Sequence, residues 1–385
     1  MSTPGAGHVR PLLPLAGAFV SGGDEVLLVS GPEVEPLAAD ARLPFAVAGR
    51  SQDEWMARLG RFTRGIPGDG LDQDRILHYF LPRGFAEVGV DEMIDDVVRH
   101  GRAFGPDVVI FEAFALAGPL AADILGVPAV AHMFGPLPPA EAVQLANDAV
   151  ARIWCSFGRE VPGWAGMYRE LTIEICPPML ETAAVPTGQT LCLRPVPLPS
   201  GPRIRTPKPT VYVTFGTLFN SDLGLFRMAL DALAEMPVHL VMTVGLDQDP
   251  SELGALPANV RVERFIAQAD LLPSCSVVVH HGGVGTTFGA LAHGVPQVIL
   301  PQGADNYEHA AMCEGAGVGL TLNPDALNNS SLASAVQQVL RDPTFAAASD
   351  RCAEQIAKMP DAVTTSVALR AWVSARKAKG ANSYG

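Results

Sequence analysis

Lysine is scarce in this 385-residue chain. Four occur, at positions 208, 358, 377 and 379, and Lys+Arg totals 27 against 40 Asp+Glu, a formal charge of −13. Binding to a phosphate backbone needs clustered cations, so this balance argues against a nucleic-acid partner. It argues equally against docking on anionic lipid through a basic patch. No run of about 18 uncharged apolar residues is present, so no transmembrane helix is expected, although the mean hydropathy is positive at +0.22. The opening residues Met1 to His8 carry neither a basic n-region nor an apolar h-region, which implies a cytoplasmic location. The six cysteines (155, 176, 192, 275, 313 and 352) include no C-x-x-C pair. Buried thiols are therefore expected rather than disulfides or zinc. Without secretion, the glycosylation sequons within Asn328–Ser331 are empty matches.

What is present is apolar, at 48% hydrophobic and 17% charged residues, enough to bury substantial cores. At roughly 150 residues per domain the chain should form two or three domains. A small-molecule enzyme fits these bounds.

Short apolar runs alternate with helix-like stretches, the pattern of a parallel α/β sheet. In the first half, Glu25–Ser30, Asp107–Phe111 and Ala129–Met133 read as buried strands; in the second, Thr210–Phe215, His239–Val244, Ser276–His280 and Gln297–Leu300 do so. Between the halves lies Pro195–Pro209, with prolines at 195, 197, 199, 202, 207 and 209, a composition that suits an extended linker. Two Rossmann-like domains with a cleft between them are the most economical architecture. The boundaries expected are 1–195, a linker at 196–209, 210–364, and a terminal segment 365–385 whose part Thr365–Ala378 has helical periodicity.

The most informative stretch is Val277–Pro301. A β-branched strand ends at His280-His281, and Gly282, Gly283 and Gly285 then permit a tight turn and close backbone approach to a ligand. Thr286 and Thr287 open an Ala/Leu helix, so strand, glycine turn and helix N-terminus together make an anion site. A metal pair at His280-His281 is disfavoured, because neighbours on a strand point to opposite faces. Plain strand–helix packing stays open for the glycine turn alone. No Gly-Lys-Ser/Thr follows, so this is no Walker A loop, and it is not a G-x-G-x-x-G fingerprint after the first strand.

H-H-G-G-V-G-T-T, followed by P-Q-G-A-D-N-Y-E-H-A (301–310), resembles the nucleotide-sugar signature of family 1 glycosyltransferases of the GT-B fold. The resemblance extends over nearly the whole chain and is closest to bacterial natural-product enzymes such as the calicheamicin glycosyltransferases. It implies that Phe265 and Ile266 hold the donor base with Gln268 near it, within the segment Arg264–Leu272. It further implies that His281 binds diphosphate, helped by the amides of Gly283, Val284, Gly285 and Thr286, and that Thr217 of T-F-G-T (214–217) lies near the phosphates. Asp305 and Asn306 would bind the donor sugar, although many family members have Gln where Asn306 stands. Relatives that use uridine donors often carry Glu eight positions after the diphosphate histidine, where this chain has Gly289. A site lacking that carboxylate gives up little when the 2′-hydroxyl is absent, which favours a dTDP-sugar.

In the first half, Pro4–Leu15 is a glycine loop leading into a helix, with Pro11 suited to its first turn and His8 just before it. Histidine is the natural general base near neutral pH. Spacing alone leaves helix capping or a surface position open for His8; the resemblance implies the acceptor-activating base. Such a base needs a partner to orient it and stabilise the imidazolium. Glu112, at the carboxyl end of the Asp107–Phe111 strand, is the candidate; its alternative is a solvated loop carboxylate. Asp72-Gln73-Asp74 and Asp247-Gln248-Asp249 spell D-x-D but read as solvated turns, and neither metal nor cofactor is expected. Trp55, Phe80, Trp154, Trp164 and Tyr168 are candidates for lining an acceptor pocket, with ordinary core packing as the alternative.

The resulting expectation is an inverting glycosyltransferase that moves a deoxysugar from dTDP to a hydroxyl of a small hydrophobic aglycone. A lipid-acceptor transferase, a nucleotide-sugar 2-epimerase and a non-catalytic partner protein are the rivals, and a homodimer is left open. In relatives a strand of about five residues precedes the glycine loop. Here only Ser2-Thr3 separate Met1 from Pro4, so that first strand is expected to be missing.

Overall fold

The computed structural model describes residues 1–63, 76–180, 188–198, 201, 203–204, 206–216, 223–303 and 305–382. It divides into two compact units, one of Met1–Ile175, Ala183–Arg194 and Pro360–Gly385, the other of Cys176–Thr182 and Pro195–Met359.

The first unit contains β1 (Leu28–Ser30), β2 (Phe45–Val47), β3 (Val109–Glu112), β4 (Ala129–His132), β5 (Leu171–Glu174) and β6 (Gln189–Cys192). All of its strand pairs are parallel: β1 with β2, and β3, β4, β5 and β6 in that order. The first three residues join the two sheets. Ser2 N–H donates to Val29 O at 3.1 Å, and Glu112 N–H donates to Met1 O at 3.0 Å. In place of the strand expected to be missing, Met1–Thr3 runs between β1 and β3. A cavity of about 650 Å³ beside it is lined by Leu27, Val109, Leu125 and Leu369 among others. The Met1 amino group is enclosed, and burial lowers its pKa to about 6.

The second unit is one parallel sheet built from β7 (Thr210–Thr214), β8 (His239–Thr243), β9 (Val260–Glu263), β10 (Val277–His280), β11 (Gln297–Ile299) and β12 (Gly319–Thr321). Its spatial order is β12-β11-β10-β7-β8-β9, the doubly wound arrangement whose order reverses between β7 and β10. Val277 and Val279 face one apolar core and Val278 the other. Burial on both faces is why β10 reads as a continuous β-branched run. The strands not visible in the sequence, β2, β5, β6, β9 and β12, are short, and β6 and β9 lie at sheet edges where few residues are buried.

Two expectations change here. Helical structure begins at Ala6, before His8 rather than after it, and continues through Leu12 into the helix Leu13–Ser21. Gly5, at φ 126°, makes this entry, and its carbonyl accepts from both His8 and Val9 N–H. All six cysteines are free thiols, but Cys155 and Cys192 are exposed rather than buried. The helix Ala362–Asn382 belongs to the first unit, where Arg370 donates to Asp24 at 2.6 Å and lies 5.4 Å from the Phe19 ring centroid. Within the proline-rich stretch, Arg203 donates to Gly294 O and Cys275 O of the second unit.

Candidate active site

Each unit places its chemistry at the carboxyl end of its parallel strands. In the first, β3 ends at Glu112, whose side chain is fully buried. His8 Nδ1 lies 3.0 Å from Glu112 Oε1. A carboxylate accepts, so Nδ1 carries the proton and Nε2 is left as the basic nitrogen. Phe114 N–H donates to the same Oε1 at 2.8 Å, while Thr3 donates to Oε2 twice, from its hydroxyl at 3.1 Å and its amide at 3.3 Å. Burial pushes the Glu112 pKa up, but the His8 charge and these hydrogen bonds outweigh it and hold the group below the ordinary carboxylate value. Glu112 is therefore the charged acceptor of a buried dyad, not a solvated loop residue.

Three phenylalanines surround the imidazole, with ring centroids of Phe134, Phe85 and Phe114 at 5.1, 5.6 and 6.4 Å from that of His8. Phe85 in turn stacks on Trp55 at 5.3 Å. Of the aromatic residues expected to line an acceptor pocket, Trp55 therefore reaches the neighbourhood of His8 through Phe85. Trp154 and Tyr168 instead fill the core of the unit, each about 1% exposed, and Trp164 packs beside Tyr168. Their apolar spacing marks a helix and turn folded onto the core, and spacing alone does not distinguish that from a pocket wall. The side chain of Phe80 lies outside the described residues. Phe85, Phe114 and Phe134 were not singled out from the sequence; the position of Phe114 and Phe134 two residues past the ends of β3 and β4 was the available signal.

In the second unit the loops after β7 and β10 meet where the strand order reverses. His281 follows β10 and its ring fills a notch between two glycines. A Cβ at Gly216 would fall 2.5 Å from its Cε1, and one at Gly283 would fall 2.4 Å from its Nε2. Burial lowers the His281 pKa to about 4, so the ring is neutral near pH 7. His280 points the other way, as alternation on a strand requires. Its Nδ1 accepts from Gly282 N–H at 3.1 Å and its Nε2 lies 2.7 Å from Gln297 Oε1. That pair fixes the tautomer, and burial lowers the His280 pKa to about 3.

The helix Val284–Ala292 starts directly after the turn, with Gly283 at its N-cap. The first intrahelical bond runs from Thr287 N–H to Gly283 O, so the amides of Val284, Gly285 and Thr286 have no acceptor within the helix. Thr287 closes the turn by donating its hydroxyl to Gly283 O. Gln268 donates to the Thr286 hydroxyl at 2.9 Å, linking the segment Arg264–Leu272 to the start of the helix after the glycine turn. Phe265 is 66% exposed, Ile266 packs on the core, and Asn306 is buried behind Gly282. Asp305 acts on the charge of His281. Thr217 and the first D-x-D, Asp72–Asp74, lie outside the described residues. In the second D-x-D, Asp249 is exposed and caps a short turn by accepting from Ser251 N–H.

Two models of the Erythromycin biosynthesis protein CIII-like family match the chain, its N-terminal domain over residues 73–153 and its C-terminal domain over 227–370. The chain is 32% identical to an L-demethylnoviosyl transferase from Streptomyces niveus, with 96% of each covered. It is 30% identical to the elloramycin glycosyltransferase ElmGT from Streptomyces olivaceus, covering 94% of this chain and 93% of that one. Among solved structures it superposes on the glycosyltransferase VinC in complex with dTDP at a TM-score of 0.75 and 26% identity, over 97% of this chain and 99% of that chain. The fold and these likenesses define a glycosyltransferase of the GT-B type. The chain belongs to the family 1, CIII-like glycosyltransferases of antibiotic biosynthesis.

Proposed function

We propose that this enzyme transfers a deoxysugar, with inversion, from a dTDP-sugar to a hydroxyl of a hydrophobic polyketide-type aglycone. The observation that carries this reading is the His8–Glu112 dyad ringed by three phenylalanines. A buried carboxylate behind a histidine makes a base, and an apolar aromatic surround suits a flat acceptor. Nε2 of His8 takes the proton of the acceptor hydroxyl as the hydroxyl oxygen bonds to the anomeric carbon. The bond from that carbon to the diphosphate oxygen breaks, and its electron pair leaves on dTDP. His281 and the amides of Val284 to Thr286 stabilise the charge growing on the diphosphate, an interaction stronger in the transition state than before it.

The donor assignment is supported by the dTDP held by VinC and by the demethylnoviosyl group named for the Streptomyces niveus relative. It is also supported by Gly289, which offers no carboxylate to a ribose 2′-hydroxyl. Neither metal nor cofactor is invoked.

The test is mass-spectrometric screening of dTDP-sugars against an aglycone panel with the wild type and His8→Ala. His8→Ala should lose transfer while retaining dTDP affinity in titration. Normal turnover by that variant would refute the base assignment, and UDP binding appreciably tighter than dTDP would refute the donor class.

A further inference from the structure

We propose that Thr3 is a positioning residue for the dyad: its hydroxyl and amide hold Oε2 of Glu112 so that Oε1 is presented to His8. This rests on the reading of His8 as the base. A bare carboxylate end can swing about its terminal torsion, whose preference is broad. Glu112 is prevented from doing so by donors on both oxygens. Oε1 takes His8 Nδ1 and the Phe114 amide, whereas both described bonds to Oε2 come from Thr3.

Thr3 is itself held. The Ser30 hydroxyl donates to Thr3 O at 3.1 Å and to Ser2 O at 3.0 Å, and Ser2 Oγ lies 3.1 Å from Ser30 Oγ. Ser2, Thr3, Ser30 and Glu112 are all buried. A water molecule therefore cannot readily replace a lost donor, and each bond weighs more than it would at a surface. The arrangement also explains why a polar cluster sits inside the joint between β1 and β3: it links the main chain of both strands to the orientation of one catalytic side chain. The other titratable groups acting on Glu112 are the Met1 amino group and His132 of β4.

Removing one neutral donor from the carboxylate raises the proton affinity of the coupled dyad, so the loss of activity on acidification should set in at higher pH. The experiment compares Thr3→Val, Thr3→Ala and Thr3→Ser with wild type and His8→Ala, measuring kcat, KM for each substrate and the pH dependence of kcat. Thr3→Val should lower kcat about tenfold to hundredfold with donor KM unchanged, and move the acidic limb upward by about half a unit or more. Thr3→Ser, which keeps the hydroxyl, should restore both. Thr3→Ala gives the same readout should the valine variant not fold.

Unchanged kcat and limb in a folded Thr3→Val or Thr3→Ala overturns the proposal. So does a fall in kcat with no shift in the limb and no rescue by serine, the signature of a merely structural role. Full activity in His8→Ala instead removes the reading on which the proposal stands, whatever the threonine variants do.

Discussion

The imidazole of His281 occupies the space that a side chain on Gly283 would need, with a built Cβ falling 2.4 Å from its Nε2. Gly283 has an ordinary φ of −62°. The demand for glycine there is thus steric and comes from the histidine, not from backbone conformation. Gly283→Ala should push the ring out of its notch and weaken dTDP binding tenfold or more by calorimetric titration. Gly315→Ala, at the exposed end of the helix Asn306–Gly315, is the control, since nothing lies within 4 Å of a Cβ there; it should change binding by less than about twofold. Equal effects of the two substitutions would show that the notch is irrelevant.

The phenylalanine surround of His8 should govern the acceptor and not the donor. Phe85→Ala and Phe134→Ala are expected to raise the aglycone KM about tenfold or more, the scale of losing a large apolar contact. Donor KM should stay near wild type. Trp164→Ala, packed on Tyr168 instead, should act mainly on the melting temperature. Steady-state kinetics with each substrate varied in turn separates these outcomes.

Acid stability follows from the buried histidines. His280, His281 and His132 have folded pKa values lowered by burial to about 3, about 4 and about 4. Below the ordinary histidine value near 6.5, unfolding takes up protons that the folded state refuses, so stability present at neutral pH is lost as pH falls from there toward 4. Glu112 adds to the loss at lower pH, because its folded pKa is held below the unfolded one. The melting temperature should fall steadily between pH 7 and pH 5, and His280→Asn should flatten that slope. A slope that the substitution leaves intact would assign the proton uptake elsewhere.

The terminal helix Ala362–Asn382 is fastened by Arg370, which reaches Asp24 and the Phe19 ring at the end of the helix Leu13–Ser21. A Cβ at Gly22 would overlap the guanidinium, at 1.8 Å from its terminal nitrogen. Gly22→Ala should therefore displace Arg370, as should Arg370→Ala directly. Both should raise hydrogen exchange along 362–382 while leaving exchange in β10 unchanged. Protection that survives both substitutions would place the anchoring contact elsewhere along the helix.

Much of the second unit was legible from the residues alone. Its strands β7, β8, β10 and β11 are buried on both faces and so spell out continuous apolar runs, and the glycine turn after His281 has few other uses. Edge strands such as β6 and β9 lack that signature because solvent covers part of their surface. In the first unit, His8 and Glu112 could be named as candidates by residue type and by position at a strand end. Glu112 could also be proposed as the partner of His8, but the contact itself is made only on folding, since 104 residues separate them and Met1–Thr3 must run beside β3 to bring them to 3.0 Å.

The sequence by itself determined the class of fold and the strand, glycine turn and helix around His281, because hydrophobic period and glycine placement are local properties. Tertiary structure decided which aromatic residues surround His8. Trp154 and Tyr168 have the composition of a pocket wall but pack inward, while Phe85, Phe114 and Phe134 come from three separate segments and converge only on folding. It also decided why Glu112 remains an anion in the core. That answer lies in donors from Thr3, His8 and Phe114, and the strength of their electrostatic hold depends on a burial that no stretch of sequence specifies alone.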